Sequence, residues 1–147
     1  MFNWFDILSD FASFVLKGVS LKAVNYATAL KTDRMVSVIT RLDAQSGVAK
    51  VEITTAAYAS VLSTISLAKP SFTESSGVLT MDGAPKSDSS AANTGTAALA
   101  RLKDSAGTVW IQGLTCGVGS GDLQLNSLSI TAGQTVSIVS ATITHSA

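Results

Sequence analysis

Cysteine and histidine are nearly absent from this chain, which carries one of each, Cys116 and His145, in 147 residues. A single cysteine excludes an intramolecular disulfide and a multi-cysteine zinc site, and leaves a buried, inert thiol as the expected state of Cys116. His145 stands two residues from the C-terminus. A Ser-His-Asp triad or a two-histidine metal site would therefore have to be built around a frayed tail. Glutamate occurs only at Glu52 and Glu74, and the aspartates are scattered over turns and helix ends, so no carboxylate pair for hydrolysis stands out.

Charge is scarce as well. Charged residues make up 14% of the chain, and ten basic side chains cancel ten acidic ones. Without a basic excess there is no electrostatic footprint for direct nucleic-acid binding and no polybasic patch for an anionic membrane. A net charge near zero favours association over repulsion, which suits a subunit of an assembly. Long hydrophobic runs are missing too, so no membrane span is expected. Met1 to Leu16 is apolar, but it lacks a basic start and carries Asp6 and Asp10, and is therefore expected to be retained and not cleaved as a signal peptide.

What is present is a 46% hydrophobic content in a length suited to one domain. Residues 1–18 read as an amphipathic helical arm. Trp4, Ile7, Leu8, Phe11, Phe14 and Val15 share one face at 100° per residue, while Asn3, Asp6, Asp10, Ser13 and Lys17 share the other. Asn3 suits an N-cap, and Lys17 with Gly18 suits a C-terminal stop. Trp4, Leu8, Phe11 and Val15 are the expected partner-binding residues. Residues 19–46 read as a connecting segment, with mixed helical and extended signals over Val19 to Ala29 and a helix near 31–44 marked by Leu30, Met35, Val38, Ile39 and Leu42.

From Gly47 onward the period changes to two, and residues 47–147 read as a β domain. Ala49, Val51 and Ile53 alternate with Lys50 and Glu52; Val61, Ser63, Ile65 and Leu67 alternate with Leu62, Thr64 and Ser66; Phe72 and Val78 to Met81 suit further short strands. Residues 82–95, with Gly83, Pro85 and a Ser and Asp cluster, read as an exposed loop with little hydrogen-bonded structure. Thr96 to Lys103 and Thr108 to Leu114 flank a type I turn at Asp104 to Gly107, and Leu123 to Ile130 and Thr135 to Thr144 flank Thr131 to Gln134, giving two hairpins. Gly117 to Gly121 leads into a strand and not a helix, so it reads as a turn or bulge and not a phosphate-binding loop. Trp110 is expected in the core, with a carbohydrate platform as the alternative because alternation places it with Thr108 and Gln112. Short strands separated by turns imply a mainly β fold, a β-sandwich or jelly roll with an N-terminal helical segment.

The stretches Leu30–Met35, Gly77–Thr80, Thr94–Ala97, Arg101–Val109, Asp122–Asn126 and Ser129–Ser137 together resemble the small jelly-roll cement, or decoration, proteins of tailed-bacteriophage heads. The similarity spans most of residues 30–144 and rests on turns and alternation. It implies a structural, non-enzymatic virion protein on the capsid surface, made in the bacterial host cytoplasm, that stabilises the shell by bridging major capsid protein subunits. It also implies self-association, with a dimer favoured, and carries over no catalytic residue, cofactor or metal. The alternatives are a tail or head-completion protein and a virion-displayed carbohydrate-binding module.

Overall fold

The computed structural model describes residues 25–145. The amphipathic segment with Trp4, Leu8, Phe11 and Val15 lies outside the described residues. Helix α1, Thr28–Leu42, buries Met35 and Leu42 and lays Val38 and Ile39 against the core. It starts at Thr28, before the expected position, and Ala27 at its N-terminus makes no side-chain cap. It stops at Leu42 because Asp43 caps it through an N–H bond to the Ile39 carbonyl and offers its carboxylate to the Ser71 N–H at 2.9 Å.

The strands are β1 (Lys50–Thr54), β2 (Val61–Ser66), β3 (Phe72–Ser75), β4 (Val78–Met81), β5 (Lys86–Asp88), β6 (Gly95–Thr96), β7 (Leu99–Lys103), β8 (Val109–Gly117), β9 (Leu123–Leu125), β10 (Ser129–Ile130) and β11 (Val136–Thr144). Nine of them form one sheet in the order β2-β1-β7-β8-β9-β11-β4-β3, with β5 also paired to β11; β10 and β6 form a separate two-strand ribbon. The fold is mainly β, and the sheet curls into a half-barrel, consistent with a β-sandwich with a helix on its N-terminal side.

Alternation explains most of the core. Val51 and Ile53 of β1, Leu79 of β4, Leu102 of β7 and Ile138 of β11 are fully buried. β2 departs from strict alternation. A bulge lets Thr54 pair with Val61 where Ile53 pairs with Ser63, so Leu62 turns inward although its period places it with the exposed Thr64.

The β7–β8 hairpin forms as expected. Asp104 accepts the Thr108 N–H on its carboxylate at 2.9 Å, and its carbonyl accepts the Gly107 N–H at 3.1 Å. Gly107 closes this turn at φ +94°, where a side chain would be strained. The other expected hairpin is only partly continuous. Leu123, Gln124 and Leu125 pair with β11, but the strand ends there and β10 crosses to pair with β6, carrying Ile130 into the core.

Residues 82–95 are not the loosely bonded loop their composition suggests. β5 pairs with Val136–Ile138 of β11, the Ala91 N–H bonds the Gln134 carbonyl at 2.9 Å, and the Ala92 N–H bonds the Leu62 carbonyl at 2.8 Å. Ser63 donates to Asp88 at 2.7 Å, and the Asn93 amide donates to the Val61 carbonyl at 2.8 Å. Ala91 is only 4% exposed. The segment is a seam that laces β2 to β11. Its small and polar residues bond through backbone groups and short side chains, a mode of attachment that hydropathy does not register.

Candidate interaction surface

β8 carries the least covered part of the sheet. Its pairing with β7 is interrupted by register shifts after Ala100 and after Leu102, and β9 runs parallel to it only at Cys116 and Gly117. From Val109 to Gly113 most side chains are exposed or half-buried, where a two-faced core strand would alternate. Upstream of β9, the edges of β8 and β11 run on without a described strand between them. Between them lies a cleft of about 520 Å³ lined by Ile111, Gln112 and Leu114 of β8, Ile143 and Thr144 of β11, and Met35 and Val38 of α1. Arg34 and His145 stand at its rim, and Asp122 forms its end.

The Asp122 end is held by local hydrogen bonds. Thr115 donates its N–H and its hydroxyl to the Asp122 carboxylate, each at 2.8 Å, and the Asp122 carbonyl accepts the Thr142 N–H at 2.8 Å. The Gly117 to Gly121 turn makes this closure, with Gly119 and Gly121 at φ +71° and +84°, and it leads into strand β9 as expected. Cys116, beside it, is half-buried. Burial first, and then the Asp122 charge, push its thiol up to about 11, which leaves little thiolate at neutral pH and agrees with an inert cysteine.

Trp110 is 42% exposed, not a core residue. Two contacts hold it at the surface. Its indole N–H donates to Asp104 at 3.0 Å, and the Arg41 guanidinium lies 5.5 Å from the ring centroid. The turn acid that caps the hairpin thus also anchors the tryptophan, and the indole hydrogen bond, followed by the turn N–H groups, holds the Asp104 carboxyl below its ordinary range. Val109 beside it and Val36 on the outer face of α1 are also exposed.

His145 is anchored and not frayed: its N–H bonds the Gly77 carbonyl at 3.2 Å. Its ring lies 3.1 Å from an Arg34 nitrogen and edge-on to Tyr26, with the Arg34 guanidinium 4.2 Å from the centre of the Tyr26 ring. The ring meets a cation and an aromatic, not the serine and aspartate of a triad. Among the described residues no three His, Cys, Asp or Glu side chains gather as metal ligands, and no helix is long and apolar enough to cross a membrane.

Charge concentrates instead on the outer face of β1 and β7. There Glu52 accepts from Arg101 at 2.7 Å and Lys103 at 2.6 Å. Burial pushes the Glu52 carboxyl up, but the hydrogen bonds and charges of Lys103 and Arg101 outweigh it and hold the group below its ordinary range. Two cations share this one carboxylate, so the cluster keeps a single net positive charge, and its partly exposed ion pairs contribute little to stability. Sequence reasoning placed the partner-binding residues on the N-terminal segment, kept Trp110 only as an alternative sugar platform, and did not single out the rest of β8. The available signal was Val109-Trp110-Ile111, three apolar residues in a row where a half-exposed strand would alternate. No family model, curated protein or solved structure matches this chain.

Proposed function

We propose that this protein is a cement protein of a tailed-bacteriophage capsid, acting by binding and not by catalysis, and bridging neighbouring major capsid protein subunits. The observation that best supports adhesion is β8, where an incompletely paired strand edge adjoins the exposed Val109 and Trp110 and the nearby Val36. An edge with no further partner strand among the described residues, next to exposed apolar side chains, is a surface suited to another protein. The capsid as the partner rests on the sequence resemblance over residues 30–144. In this reading the arm at residues 1–18 adds a second contact through Trp4, Leu8, Phe11 and Val15, and the protein self-associates as a dimer on the virion surface.

Exposure of Trp110 supports a second reading, a carbohydrate-binding module on the virion. Arg41 beside the ring and the bond from the indole N–H to Asp104 weaken it, because a sugar platform needs an uncovered ring face. The test is to count copies per particle by quantitative mass spectrometry and to compare empty-shell binding by the full chain with that of a chain lacking residues 1–18. Many copies per shell, with binding lost on deletion while the β domain still unfolds cooperatively, is the expected result. Glycan affinity that is abolished by Trp110→Ala, without shell binding, would replace the cement reading with the sugar-binding one.

A further inference from the structure

Positive and negative charges cancel over the whole chain but not over the outer face of β1 and β7. The registers of β2, β1, β7 and β8 set two rows across this face, Ser66-Lys50-Lys103-Val109 and Thr64-Glu52-Arg101-Gln112. Each of these residues is exposed or half-buried. Three cations, Lys50, Lys103 and Arg101, stand there against the one carboxylate of Glu52, which leaves two net positive charges on a chain whose formal total is zero.

Lys50 and Lys103 are directly opposite each other across the strands, an arrangement of like charges that costs a sheet stability. Glu52 relieves only part of it. Its two oxygens take Lys103 and Arg101, while the exposed Lys50 joins no ion pair among the described residues. Arg101 spends only its Nε on Glu52, and its terminal nitrogens make no hydrogen bond among the described residues. Two donors on one carboxylate, at 2.6 and 2.7 Å, show that the spacing of these cations suits a carboxylate. A single strand of nucleic acid would look for aromatic faces on which to stack its bases. The aromatic ring beside this face, Tyr58, lies instead with the Arg101 guanidinium 5.6 Å from its centre and its hydroxyl bonded to the Gly113 N–H.

We propose that the outer face of β1 and β7 docks an acidic surface of a partner protein, receiving the partner's carboxylates at the Lys50–Lys103 pair and at the terminal nitrogens of Arg101. Ser66, Thr64 and Gln112 flank the cations with hydroxyl and amide groups that bond the rim of such a contact. The rows end at Val109 and Gln112, so the basic face adjoins the exposed apolar surface of β8 and leaves the edge of that strand open. Charge pairing of this kind selects the partner and orients its approach more than it adds affinity, and salt weakens it. The inference goes beyond the cement reading and holds whichever particle, if any, the protein joins.

The test titrates capped hexaglutamate, standing in for an acidic protein surface, into the full-length chain at low salt and follows the backbone amide NMR shifts. Shifts centred on Lys50, Lys103 and Arg101 are expected, and raising the salt to about 0.3 M should weaken binding at least about fivefold. Lys50→Gln should weaken it about threefold without moving the urea midpoint, while Lys86→Gln, the same change of charge on β5, should leave it unaltered. Glu52→Gln should strengthen it, because the internal competitor for Arg101 and Lys103 is gone. Shifts centred elsewhere, equal effects of Lys50→Gln and Lys86→Gln, or weaker binding by Lys50→Gln together with a lowered midpoint would each overturn the proposal. Tighter binding of hexathymidylate than of hexaglutamate would assign the face to nucleic acid, and shifts at Lys50 on raising the protein concentration alone would assign it to a second copy; either result also overturns it.

Discussion

Along one edge of β11 the chain laces residues 86–93 between strands with polar contacts, whereas along the other edge, past β9, an apolar cleft separates β11 from β8. Among the described residues the seam has few large side chains and is closed, while the cleft has several and no strand between its edges. Closure in this protein follows backbone hydrogen bonding more closely than hydrophobicity. Small residues such as Ala91 and Ala92 let the backbone approach β2 and β11 together, and Asp88 and Asn93 supply the side-chain ties. Apolar residues on unpaired strand edges cannot close a sheet by themselves, and they mark where a further strand or partner belongs.

The contrast is broken most severely at the seam's apolar anchor. Leu62 is fully buried, its carbonyl receives the Ala92 N–H, and a Cβ on Gly95 would sit 2.9 Å from its side chain. Leu62→Ala removes packing where the wall cannot easily collapse, so a loss of about 2–5 kcal/mol is expected in urea unfolding. A loss below about 1 kcal/mol would mean that the seam is only loosely seated on β2.

The next largest effect is at Asp88. Burial pushes its carboxyl up, but hydrogen bonds from the Ser90 N–H, the Ser63 hydroxyl and the Thr64 N–H outweigh it and hold the group low. Asp88→Ala leaves the fully buried Ser63 hydroxyl without its acceptor, a cost of about 1–3 kcal/mol. The wild-type segment 82–95 should resist limited proteolysis, and this variant should be cut there first. Cleavage of the wild-type protein at the same place would restore the open-loop reading.

The seam also marks the limit of what was legible in the sequence. Period-two runs gave β1, β4, β7 and the β7–β8 hairpin, because each has one wet face and one dry face and its burial is written in alternation. The helix was legible from Met35, Val38, Ile39 and Leu42. Residues 82–95 were not, because their role depends on backbone partners some twenty to fifty residues away, and Ser, Asp and Asn look alike whether they tie strands together or face water. Trp110 misled for a related reason. Its place is set by Asp104 and Arg41, one across a turn and the other on a helix far away in sequence, and neither contact leaves a periodic trace. The partner-binding residues expected in the arm lie outside the described residues, while the surface on β8 emerged only from seeing which strand edges found neighbours.

Acid should weaken the seam and the β1–β7–β8 part of the sheet, by less than either substitution. Asp88 at the seam, Asp104 beside Trp110, and Glu52 between Arg101 and Lys103 all have folded-state values below their ordinary ones. A depressed carboxyl contributes stability that is present above the unfolded-state value, about 4, and is lost as pH falls through the folded-state value. Urea midpoints should therefore be flat from neutral pH down to about 5 and fall below about 4. Asp104→Asn should flatten part of that fall and leave the Asp88 part. An unchanged acid profile in this variant would show that the indole–carboxylate contact is not maintained in solution.

The smallest effect on folding is expected at the exposed surface, and there it carries the most information about function. Val36 and Val109 are 46% and 37% exposed, and neither is part of the buried core cluster. Val36→Ser with Val109→Thr should shift unfolding by no more than about 0.5 kcal/mol, the usual range for surface changes away from packed or bonded features. Threonine keeps the β-branched shape that suits a strand, while serine at an exposed helical position gives up only a side chain that water already touches. If β8 and the outer face of α1 are an assembly surface, the double variant should still weaken self-association in sedimentation velocity, or binding to empty shells. A gain of solubility with unchanged assembly would assign these valines to chance exposure and leave the arm at residues 1–18 as the adhesive element. Val139, 51% exposed on β11, provides the control, since Val139→Thr changes the same chemistry outside the β8 surface and should leave assembly intact.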